Sequence, residues 1–300
     1  MAHPADAIRG ENLSLILTTY NSPLWLQKVF WSLLEQTHRH FEVIVADDGS
    51  SSQTADLIEA MRHEFESSGI SLTHIWQQDD GFRKCRILNK AILHATSNYI
   101  VFTDGDCVLR KDFLATHSRY SEPGYYLSGT YFKLPMVTSE AISRDDIRTQ
   151  RCFERAWLVK HGLPAGKGRL KLTQNDRLAN WLNRTTPTAC NLKGSNASAW
   201  KSDLLAIGGL DERLHSGGQD RELGVRLQNH GIRARHVRYN AICIHLDHDR
   251  SYRNKDTVDA IRAHRLNVER TGIKHTEYGT DRLLADGYPN TPCQEQSNAS

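Results

Sequence analysis

Asp104 and Asp106, separated only by Gly105, put two carboxylates within one tight stretch of backbone. Side chains of like charge aimed at one point repel unless a cation or a proton lies between them. The pair therefore reads either as half of a divalent metal site or as a plain polar turn. His245 and His248, at i and i+3, can converge on the same ion as Asp106 from a strand end or a tight turn. One carboxylate and two imidazoles leave positions open for a ligand's oxygens, and imidazole donors favour Mn2+ or another first-row ion over Mg2+. A structural zinc site using Cys243, His245 and His248 competes with this reading, without the paired Cys-x-x-Cys such sites usually show. Asp220 follows Gly217 and Gly218 in the first turn of an expected helix, where the positive end of the dipole favours an ionised carboxylate. It is the candidate general base. Glu222, two residues on, points elsewhere on that helix.

The elements around these residues decide between the readings. Tyr99 to Phe102 is a run of β-branched and aromatic residues that suits a strand covered on both faces, ending at Asp104. Leu13 to Thr18, Phe41 to Ala46 and Ser71 to Trp76 are three earlier strands, running into Thr19-Tyr20-Asn21, Asp47-Asp48-Gly49-Ser50 and Gln77-Gln78-Asp79-Asp80. Between them lie helical segments: one from Pro23, capped by Ser22, one from about Gln53, and one over Ile87 to His94. Strands alternating with helices imply a mostly parallel, Rossmann-like α/β sheet with right-handed crossovers. Ligands bind such a sheet at the C-terminal ends of its strands, where these acids fall. Acids at three sister positions favour a site over a chance turn. Neither a Gly-x-Gly-x-x-Gly after the first strand nor a Walker-type Gly-Lys-Ser is present.

The remainder reads as one domain with an insertion. Residues 135–190 are polar and basic, with Arg144, Arg148, Arg151, Arg155, Lys160, Lys171, Arg177 and Arg184 interrupted by Gly162, Pro164 and Gly166. A helical insertion followed by a mobile loop is expected there, acting as a lid or as a surface for an anionic acceptor or anionic lipid. A helix over about Gln219 to His230, capped by Gly231, precedes one or two strands within Ile232 to His245. Thr257 to Val268 is expected to be helical, with the last stretch of about 20 residues poorly ordered. A net charge of +3 gives no case for nucleic-acid binding. The apolar runs are too short to span a membrane, and the first residues lack the basic start and apolar segment of a signal peptide. The expectation is a cytoplasmic protein with reduced cysteines, with peripheral association at the inner face of the cytoplasmic membrane as a further expectation.

Taken in order, Thr18-Thr19-Tyr20-Asn21, Asp47-Asp48-Gly49-Ser50, Gly81-Phe82-Arg83 through Asn89, Asp104-Gly105-Asp106, Gly194-Ser195-Asn196, Gly217-Gly218-Gln219-Asp220 and His245 to His248 resemble the inverting family 2 glycosyltransferases of GT-A fold. The C-terminal part is similar to the galactosyltransferase-type region of β-1,4-galactosyltransferases and bacterial chondroitin polymerases. The resemblance spans residues 12–250. It implies a nucleotide-binding half (12–110), an insertion or lid (135–190), an acceptor and catalytic half (191–250), and a C-terminal helix and tail (251–300). It implies that Thr18, Tyr20 and Asp48 line a uridine pocket, with Asp48 accepting from the uracil imide. Phe82 and Arg83 would pack on uridine or reach the diphosphate, and Asp104 would touch the ribose or donor sugar. Asp106, His245 and His248 would hold Mn2+ (or Mg2+), Asp220 would be the base, and Gly218, Gln219 and Glu222 would contact the acceptor. The implied activity moves a sugar from a UDP-sugar to a saccharide or lipid-linked saccharide, in lipopolysaccharide, capsule or exopolysaccharide synthesis. Two departures stand out: Gln219 replaces the usual glutamate before Asp220, and Ser216 replaces an aromatic before the glycines. A nucleotidyltransferase and a non-catalytic nucleotide-sugar or glycan binding module are the competing functions. The first normally carries a glycine-rich, lysine-containing segment after its first strand, which Thr18 to Ser22 does not supply.

Overall fold

A computed structural model of the chain describes residues 11–166, 170–215, 217–248 and 255–291. The strand–helix alternation is present as expected: β1 (Leu13–Thr19), α1 (Pro23–Leu34), β2 (Phe41–Asp47), α2 (Ser52–Ser67), β3 (Ser71–Trp76), α3 (Lys84–His94) and β4 (Tyr99–Asp104). Pro23 opens α1, but the Ser22 hydroxyl makes no capping bond. Then come β5 (Cys107–Leu109), α4 (Phe113–Tyr120), β6 (Tyr125–Ser128) and β7 (Thr130–Lys133). The insertion holds α5 (Met136–Ala141), α6 (Arg144–Arg148), a 3-10 turn over Arg151–Phe153, α7 (Arg155–Lys160) and α8 (Asp176–Thr185). The chain continues with β8 (Ala197–Trp200), α9 (Lys201–Ala206), α10 (Gln219–Asn229), β9 (Arg233–His236), β10 (Ile242–His245), α11 (Lys255–Thr271) and α12 (Thr280–Ala285).

The main sheet has seven strands in the order β3-β2-β1-β4-β8-β6-β9, parallel except where β8 runs antiparallel to β4 and β6. Its strands are apolar on both faces. Leu13, Leu15, Leu17, Val43 and Val45 pack with α1 and α2 on one side, while Ile16, Ile44 and Ala46 pack with α3, α9 and α10 on the other. This period-2 division of continuous apolar runs is what a doubly wound sheet requires. In-register pairing sets Thr18 beside Asp104 and Thr19 beside Asp47, so the motif-bearing strand ends share one edge.

A second, three-stranded sheet was not anticipated. Its order is β5-β10-β7, with β10 antiparallel to β5 and parallel to β7. β10 brings the C-terminal histidines back to the Asp104-Gly105-Asp106 turn. The helical part of the insertion packs on the second sheet: Ile142, Ile147, Cys152, Phe153 and Leu158 form a core with Phe132, Ile242 and Ile244. Lys167 to Arg169, in its glycine-interrupted stretch, lie outside the described residues. At the C-terminus α12 occupies part of the stretch expected to lack order, and residues 292–300 lie outside the described residues. Among the described residues Cys85, Cys107, Cys152, Cys190 and Cys243 are free thiols.

Candidate active site

Gly105 sets the approach of the two acids. Its N–H donates to the Thr18 carbonyl at 2.7 Å, and a Cβ there would stand 2.9 Å from that oxygen, so only glycine lets the turn press onto the end of β1. From this turn the two carboxylates diverge. Asp104 Oδ1 accepts from the Thr18 hydroxyl at 2.9 Å and from Lys84 Nζ at 2.6 Å. Asp106 faces β10, where the antiparallel register sets His245 opposite Cys107 and the Leu246 N–H donates to the Asp106 carbonyl at 2.9 Å.

That register assembles the expected metal triad. His248 Nε2 lies 3.0 Å and His245 Nε2 3.5 Å from Asp106 Oδ2, and the three residues' candidate ligand atoms all lie within 4.8 Å of one another. The His245 Nδ1 sits 2.6 Å from the Leu246 carbonyl oxygen, a bond that requires a proton on Nδ1 and turns Nε2 toward Asp106. Tyr131 packs against the His245 ring with centroids 4.8 Å apart, and the two histidine rings stack at 5.3 Å. Burial works against the Asp106 charge, but His248, His245 and Lys84 together hold its carboxyl below the usual range. A nearly buried, orientated set of one carboxylate and two imidazoles fits a first-row divalent ion. Cys243 does not join it: its thiol lies against Asn196 and the Thr130 and Ser195 carbonyls, which sets aside the zinc reading.

Asp220 reaches the site from α10, preceded by Gly218 in a left-handed conformation (φ 96°). Its Oδ2 accepts from the Gly194 N–H at 3.2 Å and its Oδ1 from its neighbour Arg221's N–H at 2.8 Å. The helix N-terminus alone would favour ionisation, yet burial outweighs the two N–H donors, Lys84 and Arg221 and moves its pKa up. A carboxylate with raised proton affinity is a stronger base.

Asp48, also buried, accepts from Gln77 Nε2 at 2.7 Å and from the Arg83 N–H at 2.9 Å, with burial raising its pKa. Its neighbour Asp47 is structural, taking the Ser50 N–H and the His74 ring. Tyr20 is half exposed, and its hydroxyl donates to Asp79 at 2.9 Å. The Arg83 side chain pairs with Asp80, three residues before it, and Phe82 lies between them in the chain.

Two expectations fail on geometry. Glu222 lies about 200° around α10 from Asp220. It is fully buried and takes both bonds of a paired Arg226 guanidinium, at 2.6 and 2.8 Å, so it cannot meet an acceptor. Gln219 is also buried, with an Oε1 that finds no partner among the described residues. Of the three acceptor candidates only Gly218 is partly exposed, and Ser216 lies outside the described residues. The Gly194-Ser195-Asn196 motif splits in role. Gly194 holds Asp220, while the Asn196 amide donates to the Thr130 and Ala241 carbonyls and ties the two sheets together.

Lys84 was missed. It stands at the start of α3, three residues before the expected start, and its ammonium is among Asp104, Asp106 and Asp220. Burial disfavours that charge, but Asp104 first, then Asp106 and Asp220, raise its pKa above the ordinary lysine value. A single lysine amid polar residues carries no spacing signal, and only the fold reveals it.

Residues 14–144 match the model for glycosyl transferase family 2. The chain is 26% identical to the Escherichia coli chondroitin synthase over 243 residues, which is 78% of this chain and 35% of that protein. It is 26% identical to the validoxylamine A glucosyltransferase of Streptomyces hygroscopicus subsp. jinggangensis over 235 residues, 73% of this chain and 52% of the relative. The chain thus spans about a third to a half of these relatives. Among solved structures, a Pyrobaculum calidifontis mannosyltransferase in complex with GDP-Man and Mn2+ superposes with a TM-score of 0.56 at 18% identity, covering 95% of this chain and 73% of that one. The S. aureus TarS fragment in complex with UDP-GlcNAc gives 0.55 at 16% identity, covering 92% and 71%. These two similarities establish the fold.

Proposed function

We propose that this chain, which has the GT-A fold and matches glycosyl transferase family 2 over residues 14–144, moves a sugar from a UDP-sugar to a hydroxyl of a saccharide or lipid-linked saccharide, inverting the anomeric centre. The observation that carries the reading is the meeting of Asp106, His245 and His248, from two distant parts of the chain, near a lysine, Lys84, that is also within electrostatic reach of Asp48 and Asp220. Relatives named for sugar transfer, and structural neighbours holding nucleotide sugars, support the class.

In this reading Asp48 binds the base. Two donors occupy its carboxylate, which has about four lone-pair sites and so retains capacity for the uracil imide. Thr18 and Lys84 fix Asp104 Oδ1, leaving Oδ2 for the ribose or donor sugar. Phe82, Arg83 and the half-exposed Tyr20 flank the nucleotide. A bound Mn2+ or Mg2+, held by Asp106, His245 and His248, would supply charge stabilisation for the departing diphosphate. Asp220 takes the proton of the acceptor hydroxyl, whose oxygen then bonds to the anomeric carbon as the bond to UDP breaks on the opposite face. One displacement converts an α-linked donor into a β-linkage. Residues 12–110 then serve the nucleotide and 191–250 the acceptor, with 135–190 closing over them. We place the activity in bacterial lipopolysaccharide, capsule or exopolysaccharide synthesis at the cytoplasmic side of the membrane. Among the described residues no helix is long and apolar enough to cross it.

A screen of UDP-sugars for Mn2+-dependent hydrolysis and thermal stabilisation tests the class and names the donor together. Asp220→Asn should retain UDP binding while transfer falls by about 10²–10⁴-fold. Transfer at the parent rate would remove Asp220 as the base.

A further inference from the structure

Cations from several segments lie within electrostatic reach of one another and of Asp220. Lys193 precedes Gly194, whose N–H bonds Asp220, and its ammonium donates to the Thr130 hydroxyl at 3.3 Å. Arg221 directly follows Asp220 and is exposed. Arg238, from the turn between β9 and β10, donates to the Thr188 hydroxyl, while its Nε is buried without a partner among the described residues. Lys171, from the insertion, lines one shallow recess with Arg238, Thr130 and Tyr131. Tyr131 is the residue packed on His245, so the recess lies beside the metal triad, with Lys193 linking it to Asp220.

Among the described residues Lys193, Arg221 and Arg238 make no ion pair with a carboxylate, unlike Lys84, Arg86, Arg110 and Arg213 elsewhere in the chain. Burial and the charges of Arg238, Lys171 and Arg221 lower the Lys193 pKa against a smaller opposing pull from Asp220, so the cations repel one another more than the one nearby acid offsets. Cations brought together from four segments, with one nitrogen desolvated and unpaired among the described residues, are stabilised by an incoming oxyanion.

We propose that Lys171, Lys193, Arg221 and Arg238 form an acceptor subsite for an acidic saccharide, holding its carboxylate or phosphate beside Asp220. This rests on the glycosyltransferase reading, since it assigns the acceptor to the Asp220 side of the cleft. The anion orientates the acceptor, and its neighbouring hydroxyl meets the base.

Calorimetric titrations of the full chain, with and without UDP and MnCl2, would use cellobiouronic acid, glucose 6-phosphate and cellobiose as probes. The acidic probes should bind about tenfold or more tightly than cellobiose, the scale of one charge-assisted hydrogen bond. Lys193→Gln and Arg238→Gln should erase that preference while leaving UDP affinity and melting temperature unchanged. Binding of cellobiouronic acid alone assigns a carboxylate, and binding of glucose 6-phosphate alone a phosphate. Either supports the subsite. Equal affinity for cellobiose, or a preference that survives both substitutions, overturns it. Failure of UDP to bind the parent chain would instead overturn the glycosyltransferase reading, and the titrations without nucleotide would still read the anion preference.

Discussion

Replacing Lys84 with methionine isolates the electrostatics of the cleft. The side chains of Lys84 and Asp104 are each about a quarter exposed or less, and their charged atoms lie 2.6 Å apart. With an effective dielectric constant near 20, unit charges at that distance attract by about 6 kcal/mol. Desolvation of the ammonium and residual solvent screening offset most of this, leaving a net loss of about 2 kcal/mol, typical of a hydrogen bond to a charged group. For a chain of this size that lowers the melting temperature by about 3–6 °C. Lys84→Met also removes the positive charge among Asp104, Asp106 and Asp220, so the region of the triad becomes more negative. Mn2+ should therefore bind more tightly in the absence of nucleotide, while UDP binds more weakly. Scanning calorimetry gives the first quantity, and titrations with MnCl2 and UDP give the other two. Weaker Mn2+ binding together with an unchanged melting temperature would refute the assignment of Lys84 as the counter-charge of this cleft.

Chelation with EDTA should abolish transfer and added Mn2+ restore it, and His245→Ala and His248→Ala should each weaken Mn2+ binding by about 10–100-fold in direct titration. Because burial raises the Asp220 pKa and the base acts only when ionised, the acid limb of the kcat/KM profile should lie above the ordinary carboxylate value and the rate should fall as pH drops through it; a pH series in a non-chelating buffer measures this. Glu222→Leu strands the buried Arg226 charge and should cost about 3–5 kcal/mol, lowering the melting temperature by roughly 10 °C while the UDP affinity of the folded protein stays unchanged.

Local chemistry made much of this protein legible. β1 to β4 follow from unbroken apolar runs, and the acids at their ends follow from where such runs stop. The second sheet was hidden because β5 has only three residues, Cys107–Leu109, and its partner β10 lies more than a hundred positions away. No periodicity connects segments that short and distant. Asp106, His245 and His248 could still be grouped because their side-chain types share a chemistry. Glu222 was expected to point away from Asp220, but its type and position could not show that Arg226, one turn on, would take both of its carboxylate oxygens in the core. The cations beside Asp220 come from four separate segments, so no stretch of sequence displays them together.

The pairing of β5 with β10 also fixes when the proposed metal-binding residues can come together. Asp48, its partners Gln77 and Arg83, and Asp106 all lie within the first 106 residues, but both imidazoles arrive only with His245 and His248. During synthesis the emerging polypeptide carries Asp106 long before it holds the two imidazoles that would complete the set. A metal that binds only the completed arrangement draws the last strand into place, by RT ln(1 + [M]/Kd). Metal supply would then act on the maturation of this protein as well as on its turnover.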